Sequence, residues 1–86
     1  MTFDYGSKKW SRFATQVKAR DGNRCVVVGC PSKGRLIADH IVEVEDGGAP
    51  WDLANAQTLC SRHHNLKTAG ERYRREARGE PVSPNA

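Results

Sequence analysis

Four residues constrain this chain more than anything else in its sequence: Cys25 and Cys30, separated by four residues, and Cys60 and His63, separated by two. A tetrahedral zinc ion takes four thiolate or imidazole ligands, usually as two close pairs that each close a small chelate ring. A C-x4-C pair and a C-x2-H pair meet that demand, and positions i and i+3 of a helix share a face, so Cys60 and His63 can reach one ion. Three cysteines, by contrast, cannot close a disulfide framework without leaving one thiol over. The alternative for the cysteines is burial as small apolar residues. Size explains why a staple is needed. A single domain of 86 residues, 37% of them hydrophobic, hides only about 60% of the surface of its unfolded chain. Burial on that scale does not offset the conformational entropy of folding. A structural zinc, with an apparent binding free energy on the order of 10–16 kcal/mol, would.

Around the ligand pairs the chain reads as a small α+β domain. Trp10, Phe13, Ala14 and Val17 fall at i, i+3, i+4 and i+7, so the pattern predicts an amphipathic helix over Ser7 to Arg20, with Ser7 as N-cap and Asp21-Gly22 as the stop. Cys25 to Cys30 reads as a knuckle or hairpin tip. Arg35 to Val44, rich in β-branched residues, predicts a strand, and Glu45 to Pro50 an irregular loop. Ala56 to Leu59 predicts a short returning strand. Ser61 is placed to cap a helix through Lys67, and Thr68 with Glu71 forms a capping-box pattern that opens a further turn or second helix to Arg78. The expected organisation is one domain over residues 1–78 and a flexible tail over 79–86.

The net charge of +4 is segregated. Residues 1–35 carry Lys8, Lys9, Arg12, Lys18, Arg20, Arg24, Lys33 and Arg35 against Asp4 and Asp21. Leu36 to Ser61 holds five acids and no lysine or arginine, and the chain turns basic again from Arg62. A basic shell around an acidic middle suits a phosphate-binding surface with a cation site at its centre. The opening residues lack the apolar run of a signal peptide, and no stretch approaches the roughly 18 apolar residues of a membrane span. Residence in a reducing cytoplasm, away from membranes, is the expectation.

Commitment of His63 to zinc turns the neighbouring His64 about 100° around the helix axis, toward a different partner. At the other end of the acidic segment stands Asp39-His40-Ile41. Together with Gly47-Gly48, Asp52, Asn55, Gln57-Thr58-Leu59-Cys60, His64-Asn65 and Lys67-Thr68, these residues resemble the HNH endonucleases, most closely their small bacteriophage and prophage members. The resemblance covers roughly Trp10 to Glu71. The chain departs from the family pattern in carrying His63 where many relatives have cysteine, and in a wider first cysteine pair.

The resemblance implies a ββα-metal (His-Me finger) core with an N-terminal helix and a structural zinc knuckle on Cys25, Cys30, Cys60 and His63. It implies a divalent-metal-dependent DNA endonuclease that nicks or cuts phosphodiester bonds in a bacterial host cell, beside a phage terminase or other packaging protein. His40 is then the general base. Asp39 and His64 hold one catalytic cation, which a mixed oxygen and nitrogen shell allows to be Mg²⁺, Mn²⁺, Ni²⁺ or Zn²⁺. Asn55 bonds across the loop or orients His40 through Nδ1. Lys67, Arg62, Arg72, Arg74 and Arg75 meet DNA phosphates. Trp10, Phe13 and Trp51 are expected to pack rather than stack on bases. Successive strand residues point to opposite faces, so Asp39 and His40 serve one site only if the strand ends or bulges there. The rival reading is a non-catalytic zinc-knuckle DNA-binding module, which has no use for a base and a second metal shell.

Overall fold

A computed structural model of the protein describes residues 3–31, 34–77 and 79, without the side chain of residue 75. The order of elements is helix α1 (Lys8–Arg20), strand β1 (Leu36–His40), two short 3₁₀ turns (Val44–Asp46 and Leu53–Asn55), strand β2 (Ala56–Cys60) and helix α2 (Ser61–Ala77). It is a small α+β fold in which β1 and β2 form an antiparallel pair, Leu36 opposite Cys60 through His40 opposite Ala56. No helix among the described residues is long and apolar enough to cross a membrane.

Helix α1 forms where its periodicity predicts. Ser7 caps it, its hydroxyl accepting from the Trp10 N–H at 3.1 Å, and the helix ends at Asp21, after which Gly22 adopts φ +73°. Trp10, Phe13, Ala14 and Val17 are buried and pack with Ala38 and Ala56 of the sheet. The end of α1 is also tied down by polar contacts. Arg20 forks onto Asp21 and donates to the carbonyls of Leu53 and Ala56, while Asp21 accepts the Thr58 N–H at 3.0 Å. Paired with Arg20 first, and with Thr58 as well, the Asp21 carboxyl sits below its ordinary pKa.

Strand β1 is shorter than the expected Arg35–Val44. The β-branched residues Ile41 and Val42 are about half exposed, and their N–H groups bond Asn55, Ile41 to its carbonyl and Val42 to its side chain. The chain therefore leaves the ladder at His40 and turns, and part of the expected loop coils into a 3₁₀ turn. Helix α2 runs unbroken through Thr68. Glu71, expected to complete a capping box, reaches Lys67 one turn back. The helix also starts at Ser61 rather than after it: the sulfur of Cys60 accepts the His63 N–H at 3.4 Å and fills the capping role expected of Ser61. The expected tail falls, apart from Gly79, outside the described residues, as does Arg78.

Candidate functional site

The knuckle, the end of β2 and the first turn of α2 bring four metal-donor atoms together. Cys25, Cys30, Cys60 and His63 each offer one donor, and these lie within 4.8 Å of one another. Cys60 Sγ is 3.2 Å and Cys25 Sγ 3.5 Å from His63 Nδ1, and Cys30 Sγ is 3.9 Å from Cys60 Sγ. Ligands at zinc's usual bond lengths stand roughly 3.5–3.8 Å apart across a tetrahedron, so the donor set and its spacing fit that ion. A hydrogen bond from Val26 N–H to the Thr58 carbonyl, 2.9 Å, holds the knuckle against β2. Cys60 is primed as a thiolate: the His63 backbone N–H above all, then the His63 ring and the two other cysteines, hold its pKa down at about 6 against the effect of burial. All three cysteines are free thiols.

One residue further along α2, His64 turns to the other face and meets β1. Its Nε2 lies 3.9 Å from Asp39 Oδ1, within the roughly 4 Å that two donors about 2.1 Å from one ion can span. The second Asp39 oxygen is occupied: Gln57, directly across the ladder, donates to Oδ2 at 3.0 Å, and Lys67 Nζ sits 3.3 Å away. One carboxylate oxygen is thus fixed by protein and the other faces the imidazole, so that two protein donors meet at this point. That arrangement suits a divalent cation that keeps water or phosphate ligands.

Lys67 is turned inward. Its ammonium contacts Asp39, Glu43, Glu71 and the His40 carbonyl. Burial alone would lower its pKa, but Glu71, Asp39 and Glu43 hold it above the ordinary lysine value. The charge needed to meet a phosphate is already neutralised by protein oxygens. Glu43 is pushed up to about 7, chiefly by burial and then by the neighbouring Glu71, with Lys67 opposing.

His40 leaves β1 on the face opposite Asp39. The ladder runs through it without a bulge, and its ring packs among Phe3, Tyr5 and Trp10 with only 2% of the residue exposed. Nε2 lies 3.0 Å from the Pro50 carbonyl and Nδ1 lies 3.2 Å from the Tyr5 hydroxyl. A carbonyl only accepts, so in the neutral ring Nε2 carries the hydrogen and Nδ1 presents its lone pair to the Tyr5 O–H. Of the two roles expected for Asn55, bonding across the loop is the one seen: Oδ1 accepts from Val42 N–H, and Nδ2 donates to the carbonyls of Val42 and Ala49. Gly48 makes the clasp possible, since a Cβ there would lie 1.9 Å from the Val42 oxygen.

Trp10 and Phe13 are buried, whereas Trp51 is 37% exposed with Lys9 Nζ 4.2 Å above its ring. Arg62 and Arg74 are exposed on α2 and Arg72 is partly buried. The side chain of Arg75 lies outside the described residues. Two residues of the site carry no role in the sequence reading. Gln57 stands within a motif quoted there but shows its partner only once the ladder register pairs it with Asp39. Tyr5 precedes every motif, and its contact with His40 spans 35 residues. Its hydroxyl is raised to about 12, by burial first and then by Glu43, Asp39 and Glu45, with Lys67 opposing.

Neither the curated proteins nor the solved structures compared with the chain yield a match. A family model described as HNH endonuclease matches residues 25–70, more than half of the chain and all of the site from the first knuckle cysteine to the middle of α2.

Proposed function

Because the chain belongs to the HNH endonuclease family, we propose that it hydrolyses DNA phosphodiester bonds with one divalent cation held by Asp39 and His64, braced by a zinc on Cys25, Cys30, Cys60 and His63. The observation that carries this reading is the approach of Asp39 Oδ1 to His64 Nε2 across the strand pair and helix, with His40 next along the same strand. The bound cation, Mg²⁺, Mn²⁺, Ni²⁺ or Zn²⁺, supplies positive charge where the scissile phosphate develops negative charge. The chain's own residues do the rest. His40 takes the proton of the attacking water at Nδ1, its ring fixed in the correct tautomer by the Pro50 carbonyl. Gln57 and Lys67 hold Asp39 Oδ2 so that Oδ1 stays directed at His64. Asn55 keeps the loop that carries Pro50 closed. Arg62, Arg72, Arg74 and Arg75 supply phosphate contacts that give affinity without sequence preference, and a phage terminase or other packaging protein is the proposed partner in a bacterial host cell.

A second reading, a zinc-knuckle DNA-binding module without cleavage, is favoured by one observation: His40 is buried with both ring nitrogens engaged. Plasmid nicking with Mg²⁺, Mn²⁺ or Ni²⁺ separates the two. The nuclease reading expects the wild type to convert supercoiled plasmid to open circles and His40→Ala to lose at least about 100-fold in rate. DNA binding without cleavage in any metal, or equal cutting by a folded His40→Ala, sinks it.

A further inference from the structure

Lys67, expected to meet a DNA phosphate, instead places its ammonium in a cage of four protein oxygens. Asp39 Oδ2 lies 3.3 Å away, Glu43 Oε1 3.2 Å, Glu71 Oε1 2.5 Å and the His40 carbonyl 3.0 Å. The end of β1, the segment that follows it and helix α2 each supply part of the wall. The side chains are sheltered, that of Asp39 most of all, with 4% exposed. An ammonium has three hydrogens and one charge, so four oxygens, three of them from carboxyl groups, exceed what a lysine calls for. Carboxylates joined by a main-chain carbonyl are how proteins hold hard cations, Ca²⁺ above all, whose bonds of roughly 2.3–2.6 Å tolerate irregular geometry. Here the cage holds the chain's own cation.

We propose that Lys67 is a specificity-determining residue: its ammonium fills a cage otherwise built for a calcium-like hard cation, and so confines the divalent ion to the single position between Asp39 Oδ1 and His64 Nε2. The inference rests on the cation assigned to that pair above. With Oδ2 held by Gln57 and Lys67, Asp39 has one oxygen to give. A carboxylate restricted in this way serves a small ion that keeps most of its water, and serves Ca²⁺ poorly, since Ca²⁺ takes roughly 6–8 oxygen ligands and often both oxygens of one carboxylate. Lysine suits the task because its charge is compact and sits on a stem long enough to reach β1 from α2. Being covalently attached, it is also never lost to solvent. Without the ammonium, Asp39 Oδ2, Glu43, Glu71 and the His40 carbonyl would face one another with their negative charge uncompensated, and a divalent cation with water completing its shell would relieve it.

Calorimetric titration of the zinc-loaded protein with Ca²⁺ alone tests this. Lys67→Ala should bind one Ca²⁺ per chain more than the wild type, with a dissociation constant of about 10⁻⁴ M or tighter, within the range of oxygen-ligand calcium sites. Adding Glu71→Gln should remove that ion, because it takes one carboxylate from the cage, and adding His64→Ala should leave it in place. Without calcium, Lys67→Ala should melt below the wild type. Calcium at about a hundredfold excess over its dissociation constant should raise the melting temperature of Lys67→Ala by about 10 °C, and that of the wild type by less than about 2 °C. A lysine that only stabilises the fold would lower the melting temperature without making it depend on calcium. Lys67→Ala that binds no more calcium than the wild type, that calcium neither stabilises nor refolds, or whose extra ion survives Glu71→Gln overturns the proposal. The cage and the catalytic cation fail separately: a wild type that binds no Mn²⁺ beyond its zinc removes the Asp39–His64 reading, while a calcium ion gained by Lys67→Ala still shows that the ammonium fills a cation site.

Discussion

Glu43 shows how far a single carboxyl can be moved by its surroundings. Burial, then the neighbouring Glu71, raises it to about 7 even though Lys67 pulls the other way. An unfolded chain titrates this group near 4.5, so between about pH 4.5 and 7 the folded protein binds a proton that the unfolded one has lost. Folding stability tied to Glu43 is therefore complete below pH 4.5 and declines as pH rises through 7. In metal-free protein, Glu43→Gln should match the wild type in melting temperature near pH 4 and exceed it at pH 8. A lower melting temperature at pH 8 would mean that Glu43 is held there chiefly as an anion by Lys67. The histidine pair divides at the same scale. His63→Ala should lower thermal stability, because His63 Nδ1 stands among the three sulfurs. His64→Ala should keep the melting temperature and lose cleavage, and identical behaviour of the two variants would refute the division.

Among the elements, the loop between β1 and β2 depends on Asn55, whose side chain makes three hydrogen bonds to Val42 and Ala49. Asn55→Ala should destabilise the protein by about 2–3 kcal/mol, seen as a fall in melting temperature on the order of 10 °C. A loss below about 2 °C would show that the loop closes without the clasp. The same loop marks the limit of sequence reading. Helix α1 was legible to the residue because its amphipathy and Ser7 cap are local. The end of β1 was not: Ile41 and Val42 have strand-like side chains, and only the contacts of Asn55, thirteen or more residues away, take them out of the ladder. The metal-donor quartet was legible from spacing, since each pair is local and chelation needs only that the two pairs meet. The placement of Tyr5 over His40 and the inward turn of Lys67 depend on packing between elements, which no periodicity in the chain encodes. Asp39 and His40 follow strand alternation, as the sequence warned: Asp39 meets Gln57, Lys67 and His64, while the ring of His40 packs among Phe3, Tyr5 and Trp10.

For the whole molecule, the metal quartet and the charge segregation carry the consequences. Removing the metal from a chain with so small an apolar core should lower the melting temperature by more than about 10 °C, measured by calorimetry with and without a chelator. Metal analysis should find about one zinc per chain. The basic residues of α2 predict a salt signature. Arg62→Ala combined with Arg74→Ala should weaken binding to DNA of any sequence and reduce the slope of log K against log salt by about 2. An unchanged slope would remove these two from the interface. Lys67, neutralised by Asp39, Glu43 and Glu71, should contribute little to that slope.

At Gly48, where an added Cβ would come within 1.9 Å of the Val42 carbonyl oxygen, the packing speaks at the level of the gene. Every missense codon one base away from a glycine codon encodes a side chain that carries a Cβ. The neighbouring Gly47 has open space and only a positive φ to defend, so some replacements there are tolerable. Codon 48 has no neutral missense change available, and in a population of variants selected for function its diversity should be confined to the silent third base.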